Sequence, residues 1–328
     1  MAMKSLCPAL AALVLCVAPA MAQTAARGPA VCLQDMRRLC QGVPPGGGRI
    51  IACLQTNRAQ LSEPCAATIE GAAADTGAAA ATVTRDIAYG SDPMQRLDVY
   101  RPSRPNGAII VMLHGGAWAF GDKAAGPVVT NKVRHWVARG YVFVSVNTRL
   151  VPAADPLAQA GDLATAMALV QRRAAEWSGR SDRIVLMAHS SGAHVAALLT
   201  ADPSIGNKAG LKPWRGTIAI DSAAYDVPAL MGAPHAALYD RAFGRDERFW
   251  AAVSPLHRLS GTPAPMLLIC STFRRTSCQQ ANAFARASKG KASVLPVAKS
   301  HGELNNAAGL DEAYTAQIDS FLQRIDGH

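Results

Sequence analysis

Three short motifs carry residue types that together can perform nucleophilic catalysis. The segment HGGAW begins at His114, the segment AHSSGAH contains Ser190, and the segment SHG contains His301. Glycines in the first motif let backbone amides approach an anion, because no side chain obstructs them. The motifs predict a serine hydroxyl that attacks, a histidine that accepts its proton and a loop that stabilises the resulting oxyanion.

The residues around Ser190 have the pattern of a nucleophile elbow, a sharp turn from a strand into a helix that exposes a serine hydroxyl. Ala188 stands where the G-x-S-x-G pattern has its first glycine, and alanine is small enough for the turn. Each motif alone has a plainer explanation, because a glycine pair can be only a turn and a single histidine is commonly a surface residue. Their order along the chain, each at a strand end, favours catalysis.

A serine–histidine pair needs a carboxylate to orient the imidazole. The usual position of this carboxylate is after the strand-like run at residues 265–269, and this sequence has no Asp or Glu there. That run is followed by CSTFRRTSC, and no Asp or Glu occurs from residue 248 to residue 300. The preceding run, GTIAI, ends directly at Asp221. We therefore expect Asp221 to be the acid, with Asp226 as the alternative. A plainer role for Asp221 is to cap the turn that follows.

Alternating strand-like and helix-like segments must position these residues. Runs rich in Val, Ile and Leu lie at residues 108–113, 141–146, 183–187, 216–220 and 265–269, and amphipathic stretches include residues 157–177 and 277–288. This alternation predicts an α/β domain over residues 83–328, with a mostly parallel sheet covered by helices on both faces. Motifs that follow parallel strands meet at one edge of such a sheet.

The domain resembles the α/β-hydrolase family, specifically the carboxylesterase branch with HGG-type oxyanion loops. That branch includes hormone-sensitive-lipase-like esterases, acetyl- and feruloyl-esterase-like enzymes and kynurenine formamidases. Besides HGGAW and the Ser190 elbow, the resemblance rests on DVY at residues 98–100, NTRL at residues 147–150 and SPL at residues 254–256. It implies the backbone amides of Gly116, Ala117 and Ser191 as oxyanion donors.

The resemblance also implies a serine carboxylesterase that acts on small-molecule esters without a cofactor or a metal. Some lipases of this superfamily, similar to the pancreatic type, carry their acid after the strand that precedes the usual one, which favours Asp221. Two alternatives remain open. One is an arylformamidase-like amide hydrolase, and the other is a non-catalytic secreted binding protein, which the empty acid position suggests.

The first 22 residues have the pattern of a cleavable signal peptide. Lys4 precedes an apolar run at residues 6–18, and the sequence AMA at residues 20–22 matches a signal-peptidase site. The run is too short to span a bilayer, and no other segment reaches about 20 unbroken apolar residues. We expect a periplasmic or secreted protein without a transmembrane segment.

Cysteines divide the exported chain into two parts. Four fall in a small module at residues 23–70, and a linker rich in Ala and Gly at residues 71–82 separates it from the domain. The module lacks the C-x-x-C pair of many zinc sites, and export favours disulfides. It resembles the cysteine-rich repeat of the Golgi cysteine-rich glycoprotein family and is a candidate for contact with a surface or another protein. The expected disulfide residues are Cys32, Cys40, Cys53, Cys65, Cys270 and Cys278.

The composition excludes two further classes of protein. Hydrophobic residues make up 50% of the chain, which excludes a wholly disordered protein. The formal net charge is +10, but no run of Lys and Arg exceeds two residues, so we expect no nucleic-acid partner. A disulfide between Cys270 and Cys278 would hold Arg274 and Arg275 near the site, where they would favour substrates that carry a negative group. Alternatively, both are solvated loop charges.

Overall fold

The computed structural model describes residues 32–43, 53–54, 56–66 and 81–326. The signal-peptide prediction and most of the predicted linker fall outside these residues. In the N-terminal module, helix α1 spans Leu33–Leu39 and a 3₁₀ turn spans Arg58–Gln60. Disulfides join Cys32 to Cys65 and Cys40 to Cys53, which confirms that these four cysteines are bonded. Leu54 is buried among them, and such staples compensate for a core too small to hold a short module together.

A single sheet organises the rest of the described chain. Its order is β1-β2-β4-β3-β5-β6-β7-β8; β2 is antiparallel to β1 and β4, and all other neighbours are parallel. This architecture confirms the predicted fold class. The strands are β1 Thr82–Ala88, β2 Arg96–Arg101, β3 Ile109–Leu113, β4 Val142–Val146, β5 Ile184–His189, β6 Gly216–Ile220, β7 Met266–Ser271 and β8 Ala292–Val297.

Helices cover both faces of the sheet because successive strand residues point to opposite sides. Ile109 and Val111 face a cluster that includes helices α3, α4 and α8, whereas Ile110 and Met112 face α2, α9 and α10. The π-helical turn Val133–Val137 continues α2. The helices are α2 Gly126–Lys132, α3 Pro156–Arg173, α4 Ser191–Ala201, α5 Val227–Met231, α6 Ala237–Phe243, α7 Glu247–Ala252, α8 Arg275–Ala287, α9 His301–Ala307 and α10 Glu312–Asp326.

The central elements lie close to where the apolar pattern predicts them. Strands β3 to β7 are buried along their whole length, as continuous apolar runs in a covered parallel sheet must be. The antiparallel edge strand β1 is mostly exposed and carries no apolar run, so the sequence did not reveal it. In the part of the chain that the structure describes, no helix combines the length and apolarity needed to cross a membrane.

Candidate active site

Ser190 lies in a strained turn between β5 and α4. Its φ is 59° and its ψ is −122°, a backbone conformation that a non-glycine residue adopts only when its surroundings enforce it. The backbone amide of Ser190 donates a hydrogen bond of 2.8 Å to the Ile220 carbonyl, which fixes the turn against β6. A Cβ atom at Gly192 would lie 2.3 Å from the His114 carbonyl oxygen, so only glycine lets α4 approach the HGGAW loop this closely.

His301 is the first residue of α9 and faces Ser190. The Oγ of Ser190 lies 2.8 Å from Nε2 of His301, within hydrogen-bond distance. A capping box between Ser300 and Glu303 holds the start of this helix. The neighbouring His189 ring is buried and its Nε2 donates to the His301 carbonyl oxygen at 3.0 Å. Burial lowers the pKa of His189 to about 3, with a smaller contribution from His301, so His189 is neutral.

Asp221 follows the last residue of β6 and reaches the other side of the His301 ring. Its Oδ2 lies 2.6 Å from Nδ1 of His301. The side chain is fully buried, and Oδ1 accepts hydrogen bonds from the Ser271 amide at 2.8 Å and from the Ser277 hydroxyl. Each carboxylate oxygen therefore has a fixed set of donors, and Asp221, His301 and Ser190 form one hydrogen-bonded series.

Arg274 lies in the loop after β7, the usual position of the acid, and pairs with Asp221, the acid that follows the neighbouring strand β6. Its Nη1 donates to Oδ2 of Asp221, the oxygen that also faces His301. The disulfide between Cys270 and Cys278, which the sequence predicted, closes the same loop. Burial acts to raise the pKa of Asp221, but hydrogen bonds from His301, Ser277 and Ser271, with the charge of Arg274, hold this pKa well below its ordinary value. Asp221 is therefore a carboxylate.

Asp226, the alternative acid, has a different position. Its carboxylate accepts a hydrogen bond from the Ala229 amide at 3.1 Å and caps helix α5. Nδ1 of His257 lies 3.7 Å from the same oxygen. The structure brings Asp221, and not Asp226, to the His301 imidazole.

The HGGAW loop lies beside Ser190 in a conformation that needs left-handed backbone. Gly116 has a φ of 137°, and a Cβ atom there would lie 2.1 Å from the Phe120 carbonyl oxygen. Ala117 and Trp118 follow with φ values of 52° and 59°. Within the described chain, no group accepts a hydrogen bond from the amides of Gly116, Ala117 or Ser191. The Ser191 amide is at the first turn of α4, where backbone donors have no partner within the helix.

Packing beneath the loop holds Trp118 in place. Its Nε1 donates to Nδ1 of His194 at 3.1 Å, so His194 carries its own proton on Nε2 and donates it to the Val253 carbonyl at 2.8 Å. Burial lowers the pKa of His194 to about 4, which keeps the ring neutral. The Trp118 carbonyl accepts a hydrogen bond of 2.9 Å from Gln159 on α3. The loop is thus fixed before any ligand arrives, which a preorganised anion site requires.

The expected site residues of the domain surround one cavity of about 560 Å³, a volume typical of small-molecule sites. Gly116, Ala117, Ser190, Ser191, Asp221 and His301 all line it. In the residues that the structure describes, no group of three or more His, Cys, Asp or Glu side chains is placed to hold a metal ion. The arrangement offers a nucleophile, a base with an orienting carboxylate and three backbone donors, and it can carry out acyl transfer.

Some features of the site gave no clear signal in the sequence. Ala117, Trp118, Ser190 and Asp221 all adopt positive φ, but only glycine announces such a conformation by its type. Ser277 supports Asp221 from the start of α8; its position beside Cys278 was the one available hint. His189 lies within the nucleophile motif, but nothing in the sequence showed that its ring would hold the His301 backbone.

Comparisons with known proteins agree with this geometry. The BD-FAE family model matches residues 97–210, a range that contains the HGGAW loop and Ser190 but ends before Asp221 and His301. A probable isoprenylcysteine alpha-carbonyl methylesterase of Arabidopsis thaliana is 33% identical over 117 residues, which are 35% of this chain and 24% of that protein. A kynurenine formamidase of Danio rerio is 29% identical over 116 residues, 35% of this chain and 37% of that protein.

The matched stretch thus spans about a quarter of the plant relative and somewhat more than a third of the fish relative. Among solved structures, a truncated carbohydrate esterase from gut microbiota aligns with a TM-score of 0.65 and 20% identity, covering 75% of this chain and 97% of that one. At this identity the likeness concerns the fold. The chain has the α/β-hydrolase fold.

Proposed function

We propose that this protein is a serine carboxylesterase, in which Ser190 is the nucleophile, His301 the general base and Asp221 the acid that orients it. The observation that carries the proposal is the hydrogen-bonded series of these residues, with 2.6 Å between Asp221 and His301 and 2.8 Å between His301 and Ser190. A nucleophile, a base and an orienting carboxylate at such distances are the requirement for acyl transfer through a covalent intermediate.

The first half-reaction attaches the acyl group to the enzyme. Nε2 of His301 takes the Ser190 proton while Oγ attacks the ester carbonyl, and Asp221 stabilises the imidazolium that forms. The carbonyl oxygen becomes an oxyanion and accepts hydrogen bonds from the amides of Gly116, Ala117 and Ser191. Each such donor typically lowers the barrier by about 3 kcal/mol. The tetrahedral intermediate then collapses, the C–O bond breaks, and His301 returns the proton to the departing alcohol.

The second half-reaction removes the acyl group. A water molecule takes the place of the alcohol, His301 accepts its proton, and the hydroxide attacks the acyl carbonyl. The same three amides stabilise the second oxyanion. Collapse releases the carboxylic acid and returns the proton to Oγ of Ser190, so the enzyme regains its starting state with one ester and one water consumed.

The named activities of the relatives support an ester as the substrate and keep one other function open. The plant relative is named a methylesterase and the structural neighbour an esterase. The fish relative is a formamidase, which cleaves a C–N bond, and the same nucleophile and oxyanion loop can serve either bond. The alternative of a non-catalytic binding protein was suggested by the absence of an acid at the usual position. Asp221, which lies beside His301, supplies such an acid.

The proposal is tested by measuring hydrolysis of p-nitrophenyl acetate, butyrate and octanoate, and of formanilide as an aryl formamide. We expect ester hydrolysis by the wild type, with kcat reduced about 10⁶-fold in Ser190→Ala, as for other triad nucleophiles. Ser191→Ala, which keeps the backbone amide, is the matched control and should remain active. Preferential cleavage of formanilide would favour the formamidase, and ester turnover that survives in Ser190→Ala would overturn the mechanism.

The proposed enzyme works outside the cytoplasm. The signal-peptide pattern at residues 1–22 supports export, and three disulfides fit an oxidising compartment. In this view residues 71–82 are the linker that joins the module at residues 23–70 to the catalytic domain in sequence, and the module contacts a surface or another protein. Expression in a bacterial host, followed by sequencing of the mature N-terminus, tests export. Cleavage after residue 22 is expected, and an uncleaved cytoplasmic product would contradict it.

A further inference from the structure

A second cavity lies directly beside the catalytic one. Its volume is about 640 Å³, and Ala223, Tyr239 and Arg274 line both cavities. The far side is formed by α5 and by the first turns of α8, including Arg275, Thr276 and Gln279. A ligand held at Ser190 can therefore extend past Arg274 into this second space.

The two arginines of this region have different tasks. Arg274 is held by Asp221, because its Nη1 donates both to the carboxylate and, at 3.2 Å, to the Asp221 backbone carbonyl. Its charge is therefore largely compensated. The Arg275 side chain is exposed, and no residue in the described part of the chain forms a hydrogen bond or an ion pair with it. Arg275 is the cation of the second cavity that is available to a ligand.

One acid, Asp226, lines the second cavity. Asp226 uses Oδ1 to cap α5, and Gln280 receives a hydrogen bond from the Asp226 amide. Helix α8, which forms the Arg275 side of the cavity, contains no Asp or Glu. Of the described residues that line the cavity, Arg275 carries an unpaired guanidinium, while the Asp226 carboxylate is held at the first turn of α5, so an anion is attracted to the Arg275 side. Guanidinium geometry suits a carboxylate in particular, through paired hydrogen bonds.

We propose that the second cavity binds a carboxylate carried by the substrate, with Arg275 as its counter-ion, while the ester carbonyl occupies the site at Ser190. The substrate class is then an ester with a carboxylate on its acyl or its alcohol portion. This inference rests on the proposed esterase function and names its substrate. It assigns to Arg275 the role that the sequence suggested for both arginines, because Arg274 is committed to Asp221.

The test compares charged and neutral substrates of similar size. For the acyl side these are mono-p-nitrophenyl glutarate and p-nitrophenyl pentanoate, and for the alcohol side p-acetoxybenzoate and p-acetoxybenzamide. The readout is the ratio of kcat/KM for the charged substrate to that for the neutral one. Arg275→Gln should lower this ratio about three- to tenfold for one of the two pairs, since the contact is partly exposed. Salt at about 1 M should reduce the wild-type ratio by screening.

Arg286→Gln is the matched control. Arg286 is exposed on the same helix and lines neither cavity, so its loss removes one positive charge without touching the proposed contact. The ratio should be unchanged in this variant. An unchanged ratio in Arg275→Gln for both substrate pairs, or an equal fall in Arg286→Gln, would overturn the inference.

A binding measurement separates this inference from the proposed function. Calorimetric titration of glutarate into Ser190→Ala, and into Ser190→Ala combined with Arg275→Gln, requires no turnover. We expect the second substitution to weaken binding about three- to tenfold. If the wild type hydrolyses no neutral ester, the proposed function fails whatever the titrations give. If neutral esters are hydrolysed but glutarate binds equally to both variants, the carboxylate site is wrong.

Discussion

Replacing Asp221 with Asn tests the least expected part of the site, the displaced acid. The side chain is fully buried, and its Oδ2 receives hydrogen bonds from two donors, Nδ1 of His301 and Nη1 of Arg274. An asparagine of the same shape keeps the oxygen that faces Ser271 and Ser277 but presents an NH₂ group to the other two. The new NH₂ group would then face two other donors, Nδ1–H of His301 and Nη1 of Arg274. Of these two, only His301 can become an acceptor, by moving its proton from Nδ1 to Nε2.

The consequence for catalysis follows from the tautomer. With a proton on Nε2, His301 cannot accept the Ser190 proton, and the imidazolium loses its stabilising charge. An equivalent change in a serine protease triad lowers kcat by about 10⁴, which corresponds to about 5.5 kcal/mol of activation free energy. We expect a loss of this size in kcat for p-nitrophenyl acetate, and a cost to folding of about 1–3 kcal/mol because a buried network loses one acceptor.

Asp226→Asn is the control for this experiment. Its carboxylate caps α5, and asparagine caps helices about as well as aspartate, so activity within about twofold of the wild type and a similar melting temperature are expected. Circular dichroism should show that both variants are folded. A kcat for Asp221→Asn within about tenfold of the wild type, or a large loss in Asp226→Asn, would refute the assignment of the acid.

Three further predictions concern the loop, the disulfide and a buried lysine. Gly116→Ala should reduce kcat/KM at least about 100-fold with retained folding, as measured with p-nitrophenyl acetate. The reason is that its Cβ would lie 2.1 Å from the Phe120 carbonyl oxygen and would displace the oxyanion amides. Near-normal kinetics would contradict this placement of the loop. Replacing Cys270 and Cys278 with serine should lower the free energy of unfolding by about 2.5 kcal/mol. It should also lower kcat, because Arg274 and Ser277 lie in the loop that the disulfide closes. Urea and thermal unfolding measure the first effect and p-nitrophenyl acetate assays the second, and an unchanged kcat would show that the disulfide does not position the acid. Burial lowers the pKa of Lys132 to about 7, so between pH 7 and 9 the unfolded chain binds a proton that the folded chain releases, and stability should rise by about 2 kcal/mol over this interval. Urea unfolding at both pH values should show this rise in the wild type and not in Lys132→Met, and equal slopes in the two proteins would contradict the assignment.

The sequence predicted the centre of the domain well, for a physical reason. Strands buried on both faces must be continuous apolar runs, as in β3 and β5, and the nucleophile turn needs a small residue, a serine and a glycine in fixed order. The edge strand β1 faces solvent and its neighbour β2 carries mixed side chains, so both lack that signal. Helix α9, which begins at His301, is only seven residues long and too short for a clear amphipathic period.

The position of the acid could be narrowed from the sequence but its environment could not. The absence of acids between residues 248 and 300 excluded the usual position, and a strand end pointed to Asp221. The contacts of Asp221 with Arg274 and Ser277 depend on how β6, β7 and α8 pack side by side. That packing brings together residues more than 50 positions apart, which local patterns do not encode.

Ser190, as the proposed nucleophile, must form a covalent intermediate. The most direct measurement is mass spectrometry of the protein after reaction with a fluorophosphonate, followed by peptide mapping and by an assay of the remaining p-nitrophenyl acetate hydrolysis. One adduct is expected, located on Ser190, absent from Ser190→Ala, and formed in proportion to the loss of activity. Label on another residue, or full esterase activity in a completely labelled sample, would contradict it.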